Sequence, residues 1–378
     1  MHWLVKEKIK RLKSWDSKGF APPIKMLLYP TNRCNISCVY CNNTYIRKIG
    51  RFNFDEELSS EELESIIKEG LELGIREWCI QGGGEPLMSK NLPKIIELIK
   101  SYHKKTLCLL VTNGTLFTEK VVKRFVELEL DEINFSISSP VKKDDNELRG
   151  PDSFDRSTKS LSLFKKYKKI LGENKPFIRI NSILSARTFN LIPEFLRFCK
   201  RFGVDELVLN PLRLQSEVKD ELNRGNPVLK SLILTEKMKK HVRKNIPKYN
   251  EMSKKLGVKL QINGIDELKE VKVANKKSSS SNKNKKKSLL NAYCFEPFLT
   301  VLIGPNGEVG WCCGSEYESS PLNIRNSSLK DVWRSSFIEN IRKRMLEHKP
   351  LKNCFYCGFR DISKRLEEEA EDLILQKD

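Results

Sequence analysis

The chain has 378 residues, 39% of them hydrophobic, enough to bury the core of two or three domains or of one barrel with an appendage. Its 69 Lys and Arg against 49 Asp and Glu give a net charge of +20, which admits nucleic acid, an anionic membrane surface or an acidic protein as partner without choosing among them. No apolar run reaches the ~18 residues of a membrane-spanning helix, so no transmembrane segment is expected. The opening MHWLVKEKIKRLKSWDSKGF is basic and amphipathic, with no long apolar core or cleavage site, so the expected location is cytoplasmic. Eleven cysteines without a secretion signal point to metal binding or redox chemistry rather than disulfides.

In chain order, residues 1–22 read as a basic N-terminal extension. From 23 to 265, short runs rich in Val, Ile, Leu and Phe alternate with amphipathic stretches. The runs are KMLLYP ending at Pro30, EWCIQG ending at Gly82, TLCLLVTN ending at Asn113, EINFSIS ending at Ser138, FIRINSIL ending at Leu184 and ELVLNPL ending at Leu212. Between them, SSEELESIIKEGLELG carries a capping-box pattern at Ser59 and Glu62, and LIPEFLRFCKRFG closes at Gly203. Repeated β/α units predict parallel strands with helices outside, an α/β fold built as a partial (β/α)6 TIM-like barrel. A further helix pattern over LTEKMKKHVRKNIPKYNEMSKKLG leads to a short VKLQIN.

Residues 266–290 include NKKSSSSNKNKKKS, a polar, cationic, low-complexity stretch that predicts a solvated linker. Beyond it, 291–378 predict a small α+β module. FLTVLIGPNGEVGWCC reads as a β-hairpin turning at Pro305, Asn306 and Gly307, SSLKDVWRSSFIENIRKRMLEH as helix, and the tail from Cys354 as CFYC followed by a charged helix.

Chemistry concentrates where strands end. After the first strand, TNRCNISCVYCNN places Cys34, Cys38 and Cys41 at C-x3-C-x2-C. Three thiolates can each ligate one iron of a 4Fe-4S cubane and leave the fourth iron open. A zinc knuckle would need a fourth Cys or His, and none stands between Cys41 and Cys79. The second strand ends in QGGGEPL, where glycines let backbone approach a ligand closely or simply make a turn.

Together these motifs resemble the radical S-adenosylmethionine (SAM) superfamily. The resemblance implies that the open iron chelates the methionine part of S-adenosyl-L-methionine and that reductive cleavage releases a 5′-deoxyadenosyl radical. It also implies cofactor contacts from the GGE-like Gly83, Gly84 and Glu85, from Asn113 in TNGT, from Ser136 in SISSP and from Arg149 in LRG. SISSP resembles the family pattern SxDGP, with Ser138 and Ser139 where Asp and Gly usually stand. Arg156 is a neighbouring alternative to Arg149, and Asn181, midway along the fifth strand, either points into the barrel or satisfies buried backbone.

The C-terminal thiols resemble the twitch or SPASM extensions of that superfamily, and more closely the shorter twitch form. The implied ligand set is Cys294, Cys312, Cys354 and Cys357, holding one auxiliary 4Fe-4S cluster, with Cys313 as an alternative to Cys312. Four Cys ending in CxxC also describe a zinc ribbon. Cys79, Cys108 and Cys199 lie in strand and helix patterns and read as small buried residues.

The resemblance implies hydrogen abstraction from a small-molecule or peptide substrate, with one auxiliary cluster favouring net oxidation in the manner of a twitch-type aminocyclitol dehydrogenase. Peptide maturases and epimerases are the alternatives. The roughly 20 residues before the first strand are short for a leader-binding domain. The molybdopterin GTP cyclase differs in a glycine-ended tail, where this chain ends LILQKD. A zinc-containing nucleic-acid-binding protein is the reading of another class, disfavoured because the basic run has no interleaved aromatics. An acidic electron donor, flavodoxin or ferredoxin, would suit the basic charge.

Overall fold

A computed structural model describes residues 2–41, 43–44, 54–102, 105–212, 227–265, 292–315, 320–351, 354 and 357. The Lys/Ser-rich stretch and the charged tail beyond Cys357 lie outside the described residues.

Local signals set the elements. Helix α1 spans His2–Lys18 and leads into strand β1, Lys25–Leu28. Helix α2, Ser60–Glu72, starts at the capping box expected from sequence: the Ser59 hydroxyl accepts from the Glu62 N–H, and the Glu62 carboxylate accepts from the Ser59 N–H. There follow β2 (Glu77–Ile80), α3 (Leu92–Tyr102), β3 (Leu107–Thr112), α4 (Glu119–Glu127), β4 (Glu132–Phe135), α5 (Lys142–Arg149), α6 (Ser153–Leu171) and β5 (Phe177–Leu184). Helix α7, Ile192–Phe202, stops at Gly203, whose φ of 71° is the left-handed conformation that ends a helix cheaply only in glycine. Next come β6 (Glu206–Pro211), α8 (Pro227–Leu232), α9 (Glu236–Leu256) and β7 (Lys259–Ile262). The rest comprises α10 (Glu296–Leu299), β8 (Thr300–Ile303), β9 (Val309–Gly310), α11 (Leu329–Trp333) and α12 (Ser336–Leu346). Sequence predicted a single helix over the last two. The break falls where Ser335 turns its hydroxyl to the Ile338 N–H and begins a new N-cap.

The sheet order is β7-β6-β5-β4-β3-β2-β1-β8-β9. β1 to β7 are parallel neighbours, the partial barrel, with β7 adding a seventh strand at one edge. On the other edge β8 pairs in parallel with β1, Lys25 facing Thr300 and Leu28 facing Ile303, and β9 folds back antiparallel as the predicted hairpin. The first strand of the C-terminal module therefore extends the same sheet. Gly307, at φ 84°, donates to the Gly304 carbonyl at 3.0 Å and makes that turn.

Strand alternation separates two faces. Met26, Leu28, Ile133, Phe135, Ile178 and Ile180 join the large core under the helices. The opposite face, the barrel interior, carries a small apolar cluster of Leu27, Tyr29, Cys79 and Leu302, with Leu109, Val111 and Cys313 against it. Cys79, Cys108 and Cys199 are buried, as expected from their patterns.

Helix α1 covers the amino ends of the strands. Lys8 pairs with Glu77 at 2.7 Å, and Arg11 donates to the Pro22 and Gly74 carbonyls. The guanidinium of Arg342, on α12, lies between the Trp15 and Trp333 rings at 4.5 and 4.1 Å from their centroids. It also donates to the Pro297 and Trp333 carbonyls, so one buried cation ties α1, α10, α11 and α12 together.

Candidate active site

At the carboxyl end of the sheet the loop after β1 is seated on the loop after β2. Gly84 N–H donates to the Thr31 carbonyl at 3.2 Å and Glu85 N–H to the Arg33 carbonyl at 2.8 Å. A Cβ on Gly84 would collide with the Arg33 carbonyl oxygen, and one on Gly83 with the Asn32 amide. The close approach that these glycines permit is to the Arg33 backbone and the Asn32 side chain, which fixes the chain just ahead of Cys34. Glu57 holds the same segment, accepting from Thr31 Oγ1 at 2.5 Å and Arg33 Nε at 2.9 Å.

All eleven cysteines lie among the described residues as thiols. Cys34, Cys38 and Cys41 are half-buried in this one loop, and Cys41 N–H donates to the Cys38 carbonyl at 3.2 Å. The Cys38 thiol is pushed up to about 12 by burial; the nearby Arg149 opposes the shift and the Cys41 and Cys34 thiols add to it. Cys34 and Cys41 thus both lie beside Cys38. Among the described residues no three His, Cys, Asp or Glu side chains converge on a single ion. A cubane spreads its thiolates over separate irons, so three soft sulfur donors from one loop fit a cluster without converging on one point.

Asn113, just past β3, is the hub beside them. Its side-chain N–H donates to Asn35 Oδ1 at 3.0 Å and lies 3.9 Å from Cys34 Sγ, while its Oδ1 accepts from the Thr115 N–H and hydroxyl. Glu85 is buried beneath it: Oε2 accepts from Asn113 N–H at 2.6 Å, and Oε1 from Thr112 Oγ1 at 2.6 Å and Leu87 N–H at 3.1 Å. Burial raises the Glu85 pKa although these donors oppose it. Arg149, fully buried, donates to the Asn113 carbonyl and the Ser157 hydroxyl and pairs with Asp145 at 3.1 Å. Its Nε–H has no hydrogen-bond partner among the described residues.

Ser136 is half-buried at the end of β4, its N–H on the Thr112 carbonyl. Ser138 donates its N–H to Asp145 at 2.8 Å and shares a short hydrogen bond with the Tyr40 hydroxyl, so the thiol loop is also anchored on the β4 side. Cys34, Glu85, Asn113 and Arg149 are brought together. Asn181 is not in that hub: it is exposed on β5 and accepts from Asn210 Nδ2 at 2.5 Å. Sequence reasoning missed Asp145, Thr112, Tyr40 and Ser157. Only Asp145 left a signal, four residues before Arg149 on one helix face.

A sequence model of the Radical SAM superfamily matches residues 28–172, and one of an iron-sulfur cluster-binding domain, SPASM, matches residues 294–358. The chain thus carries a radical SAM domain followed by a SPASM domain. Those two domains imply a 4Fe-4S cluster, SAM and auxiliary iron–sulfur clusters. Among curated proteins, a probable GTP 3′,8-cyclase of Methanococcus maripaludis strain C7 is 29% identical over 190 residues, 50% of this chain and 59% of that one. Another from Sulfurisphaera tokodaii is 30% identical over 179 residues, 47% of this chain and 53% of its own. The chain thus spans less than two thirds of these relatives. Among solved structures, Streptococcus suis SuiB bound to S-adenosylmethionine aligns with TM-score 0.65 at 17% identity, over 88% of this chain and 71% of that one. anSMEcpe with AdoMet and the Cp18Cys peptide aligns at 0.61 and 21% identity, over 94% and 99%. These two likenesses establish the fold, an α/β partial barrel. No helix among the described residues is long and apolar enough to cross a membrane.

In the SPASM domain, Cys294, Cys312 and Cys354 pack partly against the main core, whereas Cys313 packs against the interior cluster. The Cys312 thiol is raised well above its ordinary value by burial, then by Cys294, Glu296 and Cys354. Cys313 is raised by burial, then by Cys312, Glu296 and Cys357. A small cavity lined by Tyr29, Asn32, Gly83, Leu302 and Gly304 lies between the thiol loop and the β8–β9 hairpin.

Proposed function

We propose that Cys34, Cys38 and Cys41 hold the SAM-cleaving cluster and that the enzyme abstracts a hydrogen atom from an organic substrate inside the barrel. The observation that carries this reading is the hub: Asn113 touches Cys34 while its backbone is fixed by Glu85 on one side and Arg149 on the other. When bound, the cluster and SAM supply a 5′-deoxyadenosyl radical. The backbone of Gly83 and Gly84, with Asn113 and Ser136, would contact SAM, whereas Asn181, exposed on β5, stands apart from that hub. Arg149, whose Nε–H has no hydrogen-bond partner among the described residues, would donate to the cofactor's carboxylate. Glu85 orients Asn113 through Oε2, while its Oε1 accepts from Thr112 and Leu87. The apolar cluster of Leu27, Leu109, Val111 and Leu302 would keep water from the reacting centre.

Cys294, Cys312, Cys354 and Cys357 would hold an auxiliary cluster, and the net reaction would be a two-electron oxidation: the substrate gives a hydrogen atom to the deoxyadenosyl group, its second electron to the auxiliary cluster and a proton to solvent. This makes the enzyme an oxidoreductase. The relatives named GTP 3′,8-cyclase and the structural neighbour crystallised with the precursor peptide SuiA supply two rival substrate classes, a nucleotide and a peptide. Excess basic charge suits an acidic electron donor such as flavodoxin or ferredoxin. Turnover driven by flavodoxin should then fall steeply with salt while dithionite-driven turnover does not; equal sensitivity would remove the donor proposal.

The central test is anaerobic. Replacing Cys34, Cys38 and Cys41 with Ala should abolish 5′-deoxyadenosine formation under dithionite while the C-terminal iron stays bound. Continued formation would overturn the assignment.

A further inference from the structure

Arg33 directly precedes Cys34, so a positive charge enters the thiol loop with it. Its one ion pair among the described residues is with Glu57: Arg33 Nε and Nη2 each lie 2.9 Å from Glu57 Oε1. The same oxygen accepts from Thr31 Oγ1 at 2.5 Å, and Thr31 Oγ1 accepts in turn from the Arg33 N–H at 3.0 Å. One carboxylate oxygen thus closes a ring of contacts around the chain just ahead of the thiols. Glu57 is itself held in place. Leu58 beside it is buried in the main core, Ser59 begins the capping box of α2, and Arg325 of the C-terminal module donates to the Glu57 carbonyl at 3.2 Å. A carboxylate framed in this way meets its partners without first being ordered, unlike an ordinary surface ion pair.

We propose that Glu57 is a positioning residue of the SAM-cleaving cluster, one that cancels the Arg33 charge beside Cys34 and so keeps the cluster a strong one-electron reductant. The proposal rests on the reading above, in which Cys34, Cys38 and Cys41 hold that cluster. One electron, from dithionite or the donor protein, enters without a proton at a site that three thiolates already make negative. A bare guanidinium alongside would favour the reduced form, raise the potential and lessen the drive to pass the electron on to SAM. The Glu57 carboxylate removes that bias. Arg33 and Thr31 supply the donors that fix the loop, and Glu57 supplies both their acceptor and the opposite charge. The Arg33 side chain is 40% exposed and that of Glu57 20%, so solvent screens part of each charge and the effect is expected to be moderate.

The test is an EPR redox titration of the full chain, reconstituted anaerobically with iron and sulfide, following the reduced-cluster signal that changes when SAM is added. Glu57→Gln keeps an acceptor oxygen for Thr31 and Arg33 but removes the negative charge, whereas Arg33→Gln removes the positive one. At a fixed solution potential the reduced-to-oxidised ratio should rise about threefold to tenfold in Glu57→Gln and fall by a similar factor in Arg33→Gln, tenfold being about 59 mV for one electron. The double variant, neutral again, should return to within about twofold of wild type. A loop that is merely misplaced would move both single variants the same way. Shifts of one sign, or shifts under about twofold in both, would therefore overturn the proposal. Absence of any SAM-responsive signal from the wild type would instead strike the reading of Cys34, Cys38 and Cys41, since no variant enters that measurement.

Discussion

The two thiol sets differ in how the chain gathers them. Cys34, Cys38 and Cys41 come from a single loop seated on the glycines of the β2 loop and held by Glu57 and, on the β4 side, by Ser138. Cys294, Cys312, Cys354 and Cys357 come from opposite ends of a module whose first strand is borrowed into the barrel sheet next to β1. The first set is local and is positioned by hydrogen bonds; the second exists only once α12 and the hairpin have docked. A perturbation far from both should therefore disturb the second set more than the first.

Separate removal of the sets gives the largest expected effect. Ala at Cys294, Cys312, Cys354 and Cys357 should lower iron from about eight to about four per chain, while 5′-deoxyadenosine formation persists. Simultaneous loss of both would show that the sets are not independent. Single Ala substitutions at Cys312 and Cys313 sharpen the point, since Cys312 should cost auxiliary iron and Cys313, packed on the interior cluster, should not.

Next in size is the packing between modules. Arg342→Ala removes a buried guanidinium sandwiched by Trp15 and Trp333 and leaves the Pro297 carbonyl without this donor. A loss of about 3 kcal/mol in denaturant unfolding is expected, with auxiliary iron lost before the first cluster. Burial lowers the Arg342 pKa to about 10. The native state therefore disfavours the charged form, and the linked contribution of this group to stability rises as pH rises through its folded pKa.

Thr112→Val deprives Glu85 Oε1 of its hydroxyl donor and should cost about 1–2 kcal/mol and weaken SAM binding through Asn113, with iron unchanged. Unaltered SAM affinity would limit Glu85 and Thr112 to a structural role. The smallest effect is expected at Arg325, which reaches from the C-terminal module to Glu62 at 2.7 Å and Glu56 at 2.8 Å near the mouth of the barrel. These pairs are half-exposed, so Arg325→Ala should cost under about 1 kcal/mol at neutral pH. The Arg325 hydrogen bond holds the Glu62 pKa below its ordinary value. That contribution is present above the unfolded carboxylate pKa and is lost as pH falls through the depressed one, so wild type and variant should converge in acid or high salt.

The alternation of strand and helix, the capping box at Ser59, the stop at Gly203, the hairpin turn at Gly307 and the three-thiol loop were all legible in the chain, because each rests on neighbours within a few residues. What the glycines of QGGGE touch was not: their partners are the Thr31 and Arg33 carbonyls and the Asn32 side chain, some fifty positions earlier, and periodicity carries no record of which loop lies against which. The same holds for Arg149 reaching the Asn113 carbonyl, for Glu57 holding Thr31 and Arg33, and for β8 joining β1 across the whole barrel. Sequence by itself determined which chemistry the chain carries, since thiol spacing is a local property. Tertiary structure alone decided which side chains meet around it, because buried hydrogen bonds are satisfied by whatever the fold brings near, whatever the distance along the chain.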